Sequence, residues 1–156
     1  MAILVYAESA ADGKYKKAAF EAVSYAKSIA AQSGDTVTAV AINASESSDS
    51  LYKYGADKVL KVSNDALKNF SPNAYAKVLS DLKDGDTIVL PATNDASSFA
   101  PLLALKTDAT LVTNLISAPE NVSPFTAERR AFSGKARNSS LALRRPASRR
   151  FSSVTP

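Results

Sequence analysis

Hydrophobic and polar positions alternate along this chain in two different periods. Short apolar runs rich in β-branched residues predict buried strands, and longer stretches with an apolar residue at every third or fourth position predict helices. The predicted strands lie at 3–6, 36–43, 58–63, 87–90 and 110–117. The predicted helices lie at 17–32, 47–54, 72–82 and 97–106. Gly34 and Gly55 follow two of these helices, as glycines that end helices do.

Strands and helices therefore alternate over about 117 residues, which is typical of parallel strands joined by right-handed crossovers. The strands are almost continuously apolar, as expected when helices cover both faces of a sheet. We predict an α/β fold with an open, doubly wound parallel sheet of the adenine-nucleotide-hydrolase-like type. The predicted strand order is 3-2-1-4-5, and the order reverses between strands one and four.

The chain is predicted to divide into an α/β domain at 1–118, a β-rich extension at 119–136 and a basic tail at 137–156. Two short β-segments are possible beyond the domain, one in "FTAERRAFS" and one near "SSLAL". The rest of the tail is expected to be extended or disordered, because it has few apolar residues to bury.

Charge separates the two ends of the chain. Residues 1–128 contain eleven lysines and fifteen acidic residues, whereas residues 129–156 contain seven arginines, one lysine and no acid. Such a basic stretch can contact nucleic acid or anionic lipid. It has no groove-docking motif, so we expect no specific nucleic-acid partner.

The absence of cysteine and histidine excludes several classes of site. Disulfides, thiolate nucleophiles, Cys/His zinc centres and histidine-based catalytic triads all need one of these residues. No apolar run approaches the roughly 20 residues that span a bilayer, and no signal peptide is evident. We therefore expect no membrane span and a cytoplasmic location.

Ligands of such sheets usually bind beyond the carboxyl ends of the strands where the strand order reverses. Those ends are residues 6–8 and 91–94, next to the start of the fourth helix. The candidate ligand-binding residues of this crevice are the following: Thr93, Asn94, Ser97 and Ser98. The alternative is that the crevice is only a shape, with Asp95 or Ser97 capping the helix.

Three features favour a crevice without a nucleotide. Residues 86–117 contain no glycine, although a phosphate cradle needs close approach of the backbone. Asp95 adds negative charge where a phosphate needs positive potential. Neither "AADGKY" nor "FSGKA" has the spacing of a dinucleotide or phosphate loop. We assign no catalytic residue and no metal ligand, and the three aspartates of "SDLKDGD" are expected to be solvated.

Four segments in this order resemble a known family: "ILVYAE", "GADKVLKV", "DTIVLPAT" and "FSGKA". Together they are similar to the N-terminal half of the alpha subunit of electron transfer flavoprotein, over about residues 2–136. The resemblance implies a heterodimer with a beta subunit and FAD in a C-terminal domain of the alpha subunit. It also implies an electron carrier, not an enzyme, that passes electrons from flavin dehydrogenases such as acyl-CoA dehydrogenases to a membrane quinone-linked acceptor.

Two departures from that family shape our expectations. The sequence stops at Pro156, before the FAD-binding domain, so we expect no FAD on this chain. After Ala136 the sequence becomes rich in arginine, serine and proline, and we hypothesise a truncated or frameshifted alpha subunit. The alternative function is a small adenine-nucleotide-binding domain of the universal-stress type, using the crevice described above.

Overall fold

The structure, a computed structural model, describes residues 2–113, 115, 117–119, 121–122, 125–126 and 141–144. The strands in this part of the chain are β1 (Ala2–Tyr6), β2 (Thr36–Ile42), β3 (Lys58–Val62), β4 (Thr87–Leu90), β5 (Thr110–Val112), β6 (Asn121–Val122), β7 (Phe125–Thr126) and β8 (Leu141–Arg144). The helices are α1 (Lys17–Ser33), α2 (Asp49–Lys53), α3 (Pro72–Asp81) and α4 (Asn94–Thr107), with a 3-10 turn at Asp65–Leu67.

The main sheet has the order β3-β2-β1-β4-β8-β5. Its first four strands are parallel, and their order is the predicted one. The order reverses between β1 and β4, and we call this place the switch point. The predicted contact between strands four and five is wrong, because β8 lies between β4 and β5 and pairs antiparallel with both.

Alternate side chains of the strands point to opposite faces of the sheet, and helices cover both faces. On one face, Leu4 packs in a cluster with Leu79 of α3 and Phe99 of α4. On the other face, Ile3 packs in a cluster with Val23 of α1. This arrangement confirms the doubly wound α/β fold.

The bounds of α4 differ from the prediction. The helix begins at Asn94, three residues before the predicted Ser97. Leu105 in the same helix is 82% exposed. The buried positions of α4 follow helical spacing, and Leu105 lies on the opposite side from Leu103: Ala96, Phe99, Ala100, Leu103, Ala104 and Thr107.

Strand β8 confirms the short β-segment that was predicted near "SSLAL". Leu141–Arg144 forms this strand in the interior of the main sheet, a position that was not predicted. The pairing places Leu141 opposite Leu90 and Arg144 opposite Thr87. The local sequence indicated the segment but not its neighbours, because a four-residue apolar pattern does not show which strands it pairs with. The other residues of the tail lie outside the described part of the chain.

The turn before β4 packs directly against the first strand. Ala2 donates a backbone hydrogen bond to the carbonyl oxygen of Asp84, at 3.3 Å. A Cβ atom added to Gly85 would lie 1.8 Å from the Ala2 carbonyl oxygen, so no side chain fits there unless the backbone moves. This contact fixes how β4 enters the sheet beside β1.

We expect Gly85→Ala to lower the free energy of unfolding by about 1–3 kcal/mol, the usual cost of overpacking. Asp84→Ala is the matched control, because its side chain is exposed and only its backbone makes the contact. Chemical denaturation of both variants measures the difference. Equal stability of Gly85→Ala and Asp84→Ala would show that the turn relaxes without cost.

Candidate functional site

The candidate site lies at the carboxyl edge of the parallel strands, by which we mean the residues that follow β1, β2, β3 and β4. At the switch point, Glu8 follows β1 and Thr93 follows β4. The Glu8 side chain is 2% exposed. One of its carboxylate oxygens pairs with the ammonium of Lys16, and the other accepts a hydrogen bond from the Thr93 hydroxyl. A buried carboxylate thus lies between the ends of β1 and β4.

Thr93 has a second role as the N-cap of α4. Its backbone is extended, with φ −120° and ψ 161°, and its Oγ1 accepts a hydrogen bond from the backbone N–H of Ala96 at 3.2 Å. The expectation that Asp95 or Ser97 caps this helix is therefore wrong. The helix starts earlier than predicted because Thr93 satisfies a free N–H group at this point.

The other candidate ligand-binding residues are not gathered around Glu8 by any contact. Asn94, Ser97 and Ser98 are exposed on the first turns of α4. The Ser98 hydroxyl donates to the carbonyl oxygen of Asp95 at 2.6 Å, which is a bond within the helix. Of the four sequence candidates, only Thr93 contacts the crevice network.

Side-chain bonds also close the edge between β1 and β2. The Ser9 hydroxyl donates to the carbonyl oxygen of Ile42 at 3.0 Å. The Glu46 carboxylate accepts from the backbone N–H of Tyr15 at 2.7 Å. Gly13, with φ +79°, turns the first loop so that its carbonyl oxygen accepts from Ser45 N–H at 3.0 Å. The two loops are thereby joined to each other.

The ends of β2 and β3 are joined by two asparagines. The Asn43 amide donates to the Asn64 carbonyl oxygen at 3.0 Å, and Asn64 N–H donates to Asn43 Oδ1 at 2.9 Å. Every neighbouring pair among the four parallel strands is thus linked beyond its carboxyl end. Polar groups that could otherwise face a ligand bond to each other instead.

Comparison with known proteins identifies the family. Residues 3–148 match the sequence profile of the electron transfer flavoprotein domain. The chain belongs to the electron transfer flavoprotein family. The match confirms the resemblance predicted from the sequence, and it extends past Ala136, where the family pattern was expected to stop, to include β8.

Several curated proteins are similar to this chain in sequence. The chain is 32% identical to the electron transfer flavoprotein subunit alpha of Clostridium acetobutylicum over 139 residues, which is 85% of this chain and 41% of that subunit. It is 30% identical to the subunit alpha of Syntrophomonas wolfei over 131 residues, 80% of this chain and 40% of that subunit. It is 35% identical over 100 residues to subunit LctC of the lactate dehydrogenase (NAD(+),ferredoxin) of Acetobacterium woodii, 61% of this chain and 24% of LctC. The chain spans about two fifths of the alpha subunits.

The electrostatics of this family member's crevice follow from burial and charge pairing. The hydrogen bond with Glu8 raises the pKa of Lys16, although partial burial opposes the rise. Burial raises the pKa of Tyr6 far above its usual value, with smaller contributions from Tyr75 and Glu8. Tyr6 also makes edge-on contacts with Tyr75 and Phe99, with ring centroids 6.1 and 5.5 Å apart. An aromatic cluster therefore lies beside the buried carboxylate.

Neither a metal centre nor a membrane span is found in the part of the chain that the structure describes. No group of three or more His, Cys, Asp or Glu side chains there is arranged to hold a metal ion. None of the described helices is long and apolar enough to cross a bilayer.

The sequence interpretation missed two residues of the network. Glu8 was seen only as the end of β1, and Lys16 was given no role. An acidic residue directly after a buried strand was the available signal for Glu8. Lys16 lies eight residues further along the chain, and only the fold of the first loop brings its ammonium to Glu8.

We expect Thr93→Ala to lower the free energy of unfolding by about 2–4 kcal/mol. The loss of the cap accounts for about 1 kcal/mol, and the loss of a donor to the buried Glu8 charge accounts for the rest. Ser97→Ala, on the exposed surface of the same helix turn, should stay within about 0.5 kcal/mol. Urea denaturation compares the two variants, and similar losses in both would contradict the role of Thr93.

Proposed function

We propose that this chain is the N-terminal domain of an electron transfer flavoprotein alpha subunit that docks on a beta subunit and holds no nucleotide at the carboxyl edge of its sheet. In the assembled protein, electrons pass from flavin dehydrogenases, such as acyl-CoA dehydrogenases, to a membrane quinone-linked acceptor in a cytoplasmic setting. The domain is a structural part of an electron-carrier subunit and catalyses no reaction itself.

The observation that carries the proposal is the closed switch point. A nucleotide phosphate at this place would meet the Glu8 carboxylate, which is buried and already paired with Lys16 and Thr93. Displacing Glu8 would leave a charge without its partners in a poorly solvated place, which is costly. Family membership then favours a partner-binding role over a ligand-binding one.

The same observation argues against the universal-stress type of function. A domain of that type needs an open crevice after β4, where backbone N–H groups reach the phosphates. Here one of the N–H groups of the first helical turn, that of Ala96, is already bonded to Thr93. The segment 86–117 also contains no glycine that would let a phosphate approach the backbone.

FAD, the cofactor that the family implies, does not fit this edge of the domain. A dinucleotide needs a glycine-rich turn and room for a pyrophosphate at a helix N-terminus. The turn after β4 instead contains Pro91 and Thr93, and the carboxylate of Glu8 adds a negative charge beside it. We therefore place FAD in the region of the full-length alpha subunit beyond this domain.

The test is co-expression of the tagged chain with the electron transfer flavoprotein beta subunit of the same organism. We expect the two to purify together and to elute from size exclusion at the size of a one-to-one complex. A tagged domain of the same fold from another family is the control, and it should not retain the beta subunit. Elution of the chain by itself at micromolar concentrations, with the beta subunit separate and folded, would contradict the proposal.

A further inference from the structure

The buried carboxylate of Glu8 requires a structural explanation of its own. An ionised carboxylate is rarely buried to this degree unless cations and hydrogen-bond donors hold it. Glu8 is only 2% exposed, and it sits where this type of sheet usually accommodates an anionic ligand. Its surroundings therefore show what the switch point can bind.

The start of α4 acts on Glu8 through Thr93. The Ala96 N–H donates to Thr93 Oγ1 at 3.2 Å, and the single hydroxyl proton of Thr93 is donated to Glu8. Hydrogen bonds in such a chain polarise one another. The partial positive charge of the helix N-terminus thus reaches the carboxylate by way of the hydroxyl.

The position of Lys16 is explained chiefly by Glu8. It is the N-cap residue of α1, and the first turn of that helix contains no acidic residue. A cation at a helix N-terminus is disfavoured by the helix dipole. Its ammonium pairs with Glu8, and its backbone N–H also donates to the Glu8 carbonyl oxygen at 2.9 Å. Both contacts of Lys16 therefore hold the first loop against Glu8.

We propose that Lys16, Thr93 and the first turn of α4 form an oxyanion site at the switch point, and that Glu8 is its built-in ligand. The chemical class that this site takes in the absence of Glu8 is a small oxyanion such as inorganic phosphate.

Asp95 limits how strongly this site can bind an anion. It lies close enough to Lys16 to contribute to the raised pKa of that ammonium, so it adds a second negative charge at the mouth. A phosphate bound there would pair with the ammonium of Lys16 and accept a hydrogen bond from the Thr93 hydroxyl. It would also lie near the negative charge of Asp95, which repels it. We therefore expect weak binding when Glu8 alone is removed, and stronger binding when Asp95 is also neutralised.

The test compares thermal unfolding midpoints in sodium phosphate and in sodium chloride at matched ionic strength, followed by calorimetric titration with inorganic phosphate. We expect phosphate to raise the midpoint of Glu8→Ala but not that of the wild-type chain. The Glu8→Ala/Lys16→Ala double variant should bind phosphate at least about tenfold more weakly than Glu8→Ala. Glu8→Ala/Asp95→Asn should bind it more tightly than Glu8→Ala.

Glu21→Ala is the control for net charge, since Glu21 is 41% exposed on α1 and pairs with Lys17 at 3.8 Å. It should show no change of midpoint with phosphate.

A folded Glu8→Ala protein with equal midpoints in both salts overturns the proposal. If Glu8→Ala does not fold, Glu8→Gln decides: a midpoint well below the wild-type value supports a required anionic ligand, and an unchanged midpoint overturns it.

Discussion

The ion pair and hydrogen bond of Glu8 connect the two strands from which the sheet winds in opposite directions. Glu8 follows β1, and its contacts reach Lys16 at the start of α1 and Thr93 at the start of α4. These helices cover opposite faces of the sheet. One buried carboxylate thus fixes where both helices begin, and it occupies the place at which a ligand of this architecture would bind. Other polar bonds along the carboxyl edge complete the same closure.

The strands and helices that were predicted correctly are those that a local sequence pattern is enough to define. The strands β1 to β4 are short apolar runs, and the apolar spacing of α1 together with Gly34 defines that helix and its end. The place of β8 depends on pairing with β4, some fifty residues earlier, which no local pattern contains. The start of α4 was ambiguous for another reason. Four residues of the types that cap helices follow one another closely there, and only the contact with Glu8 selects the first: Thr93, Asn94, Asp95 and Ser97.

The prediction of a crevice without a nucleotide rested on only part of what the structure shows there. The missing glycines and the charge of Asp95 were visible in the sequence. The burial of Glu8 was not, because it depends on a loop that brings Lys16 back to the strand end. Glu8 lies buried at the place where ligands of this type of sheet usually bind, so function has to be argued from the site and not from the fold. Membership of the electron transfer flavoprotein family agrees with that interpretation.

Side chains of the domain bond to one another along the carboxyl edge of the sheet, and we infer that they leave no room for a nucleotide. Isothermal titration calorimetry of the wild-type chain with AMP and with ATP is the direct test. We expect no heat of binding for either nucleotide up to millimolar concentrations, because Glu8 already lies at the switch point. Micromolar binding that disappears in Asn94→Ala or Ser98→Ala, two exposed positions on the first turns of α4, would contradict it.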